Sequence, residues 1–234
     1  MKKNQNPIGG VNKTRAFTLI ELLVVISIMG VLAALTIPVL GKIKEGNYKK
    51  VARAELGQIE MALENYKAKY GTYPPCNQNP ASANYEPAIM NQLYYELSGT
   101  TNNGSAFVTL DGRSQLDITP ANEVKTAYGV EGFVNCAKGV GDEVLRAHNF
   151  LPSLKESQYN TYVSNNLVRT TELVTSVGGP DQQYQPLKAP NLNPFRYLYP
   201  GTNNPNSYDL WVDICIKGRT NRISNWSRQV QILH

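Results

Sequence analysis

Apolar and polar positions divide the first third of the chain into two consecutive patterns. Residues 17–41 read FTLIELLVVISIMGVLAALTIPVLG, and Glu21 is their only charged side chain. The 20 residues from 22 to 41 carry no charge, and that length of α-helix spans about 30 Å, the thickness of a bilayer core. The run exceeds the apolar core of a cleaved secretory signal, which has about 7–15 residues. It therefore predicts a transmembrane helix over residues 17–41.

The second pattern follows Gly41 and is amphipathic. Apolar and aromatic residues recur every three or four positions, the spacing of one helix face: Tyr48, Ala52, Leu56, Ile59, Leu63, Tyr66 and Tyr70. Gly71 and the prolines at 74 and 75 signal its end. These residues predict a helical stem over 42–72 that continues the apolar run, so that the whole helix is roughly 80 Å long. We expect the stripe to pack on a folded head of the same chain, with a coiled coil as the alternative.

Residues 73–234 are predicted to form that head, most clearly at its end. Alternating residues there predict two strands, a turn and a returning strand, at 193–201, 207–216, 217–220 and 222–226. They form an antiparallel sheet against which the stem stripe could pack. Weaker signals predict a strand at 106–110 and a short helix from Asp142 to Phe150. The predicted fold class is therefore α+β, a long N-terminal helix packed on a small C-terminal antiparallel sheet.

Charge is concentrated in the first 16 residues. The chain has 23 Lys and Arg against 18 Asp and Glu, a formal charge of +5. Residues 1–16 supply four of these positive charges and no acid, from Lys2, Lys3, Lys13 and Arg15. A short basic head before an apolar run is typical of a leader peptide. Residues 17–234 then carry only 19 basic against 18 acidic residues, so the charge gives no reason to expect a nucleic-acid partner.

Glu21 is the informative charge, because an ionised carboxylate deep in an apolar helix costs about 2.5 kcal/mol or more unless a cation accompanies it. The alternative is a solvated carboxylate at the level of the lipid headgroups. Residues 15–26, RAFTLIELLVVI, resemble the processing and methylation signal of type IV pilins and pseudopilins. The resemblance implies cleavage between Ala16 and Phe17, methylation of Phe17 and an assembly role for Glu21. The family usually has Gly before the cut, where this chain has Ala16.

The resemblance also implies how such a subunit assembles. Cleavage creates a positive α-amine at Phe17, which can pair with Glu21 of a neighbouring copy or of the same chain. Gly30 and Pro38 weaken a helix interior, and the resemblance implies that this segment unwinds when the subunit leaves the membrane. The head would lie in the periplasm of a single-pass inner-membrane protein.

The end of the chain also looks like the major pseudopilin of type II secretion systems, with a Pro-aromatic strand at Pro194 and the run Tyr208-Asp209-Leu210-Trp211. The implied function is a structural subunit of a secretion pseudopilus. The implied partners are further copies of the chain, the prepilin peptidase and methyltransferase, other pseudopilins and the inner-membrane assembly platform. A type IV pilus subunit is the near alternative. A membrane-anchored periplasmic enzyme or binding protein is more remote, because no catalytic motif is present and no enzyme activity is expected.

Cysteines and acidic residues at the end of the chain give little sign of further chemistry. Cys76 and Cys136 are the candidate disulfide, since Cys215 falls in a predicted strand, and three separate thiols are the alternative. The resemblance implies a calcium ion in the last hairpin loop, but that loop reads Lys217-Gly218-Arg219 without an acid. Calcium prefers charged oxygen ligands, so no metal or cofactor is expected.

Overall fold

The structure, a computed structural model, describes residues 17–77, 88–117, 123–137, 146–163, 169–178, 185–186 and 192–233. The chain divides into two compact units with a boundary between Lys44 and Glu45. One helix, α1, runs from Leu19 to Tyr70 and contributes to both. The second unit contains the rest of α1 and the whole head.

The predicted end of α1 is confirmed. The helix stops at Tyr70, and Gly71 follows with φ at +78°. The Gly71 amide donates to the carbonyl of Lys67 at 2.7 Å, which satisfies one carbonyl of the last turn. This left-handed residue after a helix is the usual place for glycine, because a Cβ is disfavoured there.

The predicted stripe is the buried face of the stem. Five of its members are at most 4% exposed, and two at its ends are partly buried. They belong to one hydrophobic cluster with residues of the head such as Leu210, Val212 and Ile214. The apolar positions on the stem therefore face the head, as their spacing predicts, and the helix is held by burial on that face.

The head is built from short elements. Its helices are α2 (Leu93–Ser98) and α3 (Glu123–Tyr128). Its strands are β1 (Thr100–Asn102), β2 (Ala106–Thr109), β3 (Gln115–Asp117), β4 (Cys136–Ala137), β5 (Tyr159–Val163), β6 (Arg169–Leu173), β7 (Phe195–Leu198), β8 (Asp209–Ile216), β9 (Arg219–Ser224) and β10 (Gln231–Leu233). The fold class is α+β, and the predicted strand at 106–110 is β2.

The predicted C-terminal sheet is confirmed as an antiparallel sheet in the order β10-β9-β8-β7. Val212 pairs with Phe195 on one side and with Ile223 on the other. The β8–β9 hairpin turns at Lys217 and Gly218, whose φ angles are +52° and +73°. Positive φ at both positions is what a two-residue hairpin turn of the favoured twist requires.

The middle of the head departs from the predictions. Its first sheet has the order β3-β2-β1-β4, in which β1 and β4 are parallel, and β5 and β6 form a separate two-stranded pair. The helix predicted from Asp142 to Phe150 is wrong over residues 146–150, which contain no helix, and its first half lies outside the described residues. Short, loop-rich segments lack the periodicity that reveals an element from sequence.

Candidate functional site

Thr18 and Glu21 form a reciprocal cap at the start of α1. The Glu21 carboxylate accepts from the Thr18 backbone amide at 2.8 Å and from the Thr18 hydroxyl at 2.7 Å. The Glu21 amide donates to the Thr18 hydroxyl at 3.3 Å. This is a capping box, in which two side chains satisfy amides that the helix leaves without carbonyl partners. Thr18 was not among the predicted site residues, although Thr-x-x-Glu before an apolar run is the signal of such a cap.

The cap places Glu21 one helical turn from the predicted cleavage point. Phe17 precedes the helix and is 79% exposed, so the bond on its N-terminal side adjoins a solvent-accessible residue. Ala16, the other residue of the predicted cut, lies outside the described residues. The carboxylate is thus already oriented toward the backbone next to Phe17 before any cut is made.

The apolar half of α1 is exposed wherever the structure describes its side chains. Every side chain from residue 17 to 34 is exposed. Gly30 lies in this part of the helix with open space where a Cβ would stand, whereas the predicted role of Pro38 falls on a side chain outside the described residues. Within the residues that the structure describes, no helix has an apolar stretch long enough to cross a membrane.

Polar anchors join the stem to the head in the second unit, beside the apolar stripe. Arg53 donates to the carbonyls of Ser224 and Ser227, the latter at 2.9 Å. Glu55, on the same helix, accepts from the Ser176 amide at 3.1 Å and from two hydroxyls, those of Thr175 and Ser176. Neither residue was predicted to have a role, because a charged residue next to a helical stripe usually faces solvent.

Glu96 is the third anchor and is fully buried. Its carboxyl group accepts from the Tyr66 hydroxyl at 2.9 Å and from the amides of Val134 and Asn135, both at 2.8 Å. Burial, followed by the neighbouring Glu96, raises the pKa of Tyr66 far above its ordinary value. The phenol therefore stays protonated and remains a donor. One carboxyl group thus connects the stem, α2 and the strand region before β4.

The candidate disulfide is not formed. Cys76, Cys136 and Cys215 are all free thiols. The Cys76 thiol donates instead to the carbonyl of Tyr199 at 3.0 Å, and Cys136 is buried in β4. The expectation of a Cys76–Cys136 bond is therefore corrected to separate thiols.

The two aspartates of β8 serve the fold. Asp209 accepts from the backbone amides of Asn203 and Asn204 at 2.7 and 3.0 Å, which closes the loop before the strand. Asp213 accepts from Arg222 at 2.8 and 2.9 Å and lies 3.3 Å from a guanidinium nitrogen of Arg196. Among the described residues, no three His, Cys, Asp or Glu side chains are grouped as a metal site would require.

Comparison with known proteins gives two kinds of match. The family model described as "Prokaryotic N-terminal methylation motif" matches residues 11–37, which contain Phe17, the Thr18–Glu21 cap and Gly30. No solved structure matches the chain.

Several curated relatives are named type II secretion system core protein G. The protein from Escherichia coli (strain K12) is 41% identical over 78 residues, 33% of this chain and 54% of its own length. That from Pectobacterium carotovorum subsp. carotovorum is 36% identical over 77 residues, 33% of this chain and 49% of its own. That from Klebsiella michiganensis is 34% identical over 87 residues, 36% of this chain and 61% of its own. The chain thus spans about half the length of the relatives it matches. It carries a prokaryotic N-terminal methylation motif and, over about a third of its length, is similar to type II secretion system core protein G.

Proposed function

We propose that this chain is a prepilin-type structural subunit of a type II secretion pseudopilus. The observation that carries the proposal is the methylation motif over residues 11–37, which coincides with an exposed apolar helix whose carboxylate is fixed at its first turn. The similarity to core protein G favours a secretion pseudopilus over a type IV pilus, which uses the same processing chemistry. The role is structural and not enzymatic.

Processing converts the start of α1 into a paired ionic site. Hydrolysis of the Ala16–Phe17 bond leaves a carboxylate on Ala16 and an amine on Phe17, which takes up a proton near neutral pH. N-methylation at Phe17 keeps that positive charge. Glu21 of a neighbouring copy then supplies the opposite charge where water is excluded, and an ion pair offsets two charges that would each be costly alone.

The helix between the cap and the stem is the proposed anchor and assembly element. Residues 17–41 would hold the precursor in the inner membrane, with the head in the periplasm, until the subunit joins a filament. The Gly30 and Pro38 positions would let this segment unwind locally as lipid is exchanged for neighbouring helices. The partners in these steps are the prepilin peptidase and methyltransferase, further copies of the chain, other pseudopilins and the assembly platform.

Mass spectrometry of the mature N-terminus tests the processing step. The full chain is expressed with an active prepilin peptidase and, as a control, with an inactive one. We expect a chain that begins at methylated Phe17 only with the active enzyme. A chain that keeps Met1 in both cells would refute the proposed function.

Assembly is tested by Glu21→Val in the same cells. We expect the variant to be inserted in the membrane and yet to form no filaments, because the Phe17 amine of the next copy lacks its partner. Normal filament yield from this variant would contradict the role of Glu21. If deletion of the gene abolished surface pili but left protein secretion intact, the subunit would belong to a type IV pilus instead.

A further inference from the structure

The head carries a local excess of positive charge in two segments that the fold brings together. Residues 45–54, at the start of the stem's head-bound part, contain Lys49, Lys50 and Arg53 and a single acid, Glu45. Residues 214–234, which include β9 and β10, contain four arginines and lysines and no acid. These segments are about 170 residues apart in sequence, yet Arg53 in the first donates to Ser224 in the second.

Two sets of contacts join the segments. Lys217, at the hairpin turn, forms an ion pair with Glu45 and remains 70% exposed. Arg53 holds the carbonyls of Ser224 and Ser227. The hydrogen bond from Lys217, together with the charges of Lys49 and Arg219, lowers the pKa of Glu45. Three cations, Lys49, Lys217 and Arg219, therefore act on one carboxylate. We call these three residues, together with the exposed Lys50 and Arg228 of the same two segments, the basic patch.

The rest of the head has the opposite charge. The unit from residue 45 to 234 contains 17 Lys and Arg and 17 Asp and Glu, so its formal charge is zero. The two segments hold seven of the basic residues and one of the acidic ones, a local charge of +6. The remaining ten basic and sixteen acidic residues give −6. A neutral domain with such a separation orients itself in an external field instead of being attracted as a whole.

The basic patch lies close in sequence to the proposed membrane anchor. Lys49 and Lys50 follow Gly41, the end of the apolar run, by eight and nine residues. Juxtamembrane clusters of Lys and Arg are attracted by acidic lipid headgroups.

We propose that the basic patch binds the headgroups of anionic phospholipids and holds the head against the membrane surface before assembly. The proposal rests on the membrane insertion contained in the proposed function. It adds that the head is itself a lipid-binding element, and that leaving the membrane requires these charges to exchange lipid for another partner.

Lysine footprinting of the full chain tests this inference. The protein is reconstituted into phosphatidylcholine vesicles with or without about one-third phosphatidylglycerol, and acetylation of each lysine is followed by mass spectrometry. We expect acetylation of Lys50 and Lys217 to slow about fivefold in the anionic vesicles and to recover in about 0.5 M salt, because salt screens exposed charges. Lys125 and Lys155, outside the two segments, should react equally in both.

Matched variants give the control. The double variant Lys50→Gln/Arg219→Gln removes two exposed charges of the patch and leaves Arg53, which supports the fold. We expect this variant to lose the lipid-dependent protection of Lys217. Lys67→Gln/Lys69→Gln makes the same charge change at the far end of the stem and should leave that protection intact. Resistance to alkaline extraction shows that the chain is inserted in the vesicles. If the lysines of such inserted chain were acetylated equally in both kinds of vesicle, the inference would be overturned while membrane insertion would stand. Protection that depends on protein density and not on lipid charge would overturn it in favour of contact between copies.

Discussion

The buried carboxyl group of Glu96 gives the sharpest test of how the stem is attached to the head. In Glu96→Gln one acceptor oxygen becomes a donor, so either the Val134 amide or the pair formed by Asn135 and Tyr66 loses its acceptor. A buried donor without a partner costs about 1–3 kcal/mol, and a forced donor–donor contact adds to this. We therefore expect Glu96→Gln to reduce the free energy of unfolding by about 2–4 kcal/mol.

The contribution of the stem alone follows from a double-mutant cycle. Tyr66→Phe removes only the 2.9 Å bond from the stem to Glu96 and should cost about 1–2 kcal/mol. Because the two residues share this bond, we expect their effects to be coupled by about 1 kcal/mol. Urea unfolding of the full chain in detergent micelles measures both values through the fluorescence of Trp211 and Trp226.

The control variant is Tyr159→Phe, which removes a phenol hydroxyl from a partly buried tyrosine beside the same cluster. The ring contact of Tyr159 with Tyr94 is retained in the variant, so we expect a change below about 0.5 kcal/mol. If Glu96→Gln cost no more than this control, or if the coupling were zero, the proposed anchor would be refuted.

Three further predictions test other contacts. Thr18→Val should lower helix stability in the first turn by about 1 kcal/mol through loss of the cap, measured as faster amide exchange at residues 19–22. Glu21→Gln should retain part of the cap and show a smaller increase in exchange. Gly71→Ala should destabilise the protein by about 1–2 kcal/mol because φ is positive there. Gly57→Ala, in the helix interior with open space at Cβ, should stabilise the protein by up to about 1 kcal/mol. Urea unfolding that ranks the two variants in the reverse order would contradict this prediction. Burial raises the pKa of Glu172 well above its ordinary value of 4.5, so the folded protein retains a proton that the unfolded chain releases, and stability should fall as pH rises above that value. Glu172→Gln should flatten this fall of stability with rising pH; an unchanged slope would show that other groups cause it.

Periodicity accounts for what could be predicted of the fold. The stem stripe and β8 both repeat at the period of their element over several residues, so the face of each that enters the apolar core follows from the order of apolar and polar residues alone. The other face of β8 is buried as well, which its alternation does not predict. Leu56 and Leu63 on the helix and Val212 and Ile214 on the strand fall in one cluster for this reason. The parallel pairing of β1 with the two-residue β4 has no such signal, because a strand that short carries no period.

The candidate site divides in the same way. Glu21 was recognisable because a charge is conspicuous in an apolar run, and Thr18 was recoverable from its spacing to Glu21. Arg53, Glu55 and Glu96 could not be predicted, because their partners are mostly backbone groups and hydroxyls distant in sequence. Glu55, for example, contacts Ser176 across 121 positions. Main-chain donors and acceptors are present at nearly every residue, so a sequence cannot indicate which of them will meet a given side chain.

These polar anchors complement what the apolar stripe provides. A stripe repeated every three or four residues specifies which face of the stem is buried, but a slip by one helical turn places similar apolar side chains in similar positions. Such a slip moves Arg53 by about 5.4 Å along the helix axis, away from the carbonyls of Ser224 and Ser227, and it separates Tyr66 from Glu96 by the same amount. Hydrogen bonds do not tolerate that displacement. The anchors therefore determine the axial register of the stem on the head.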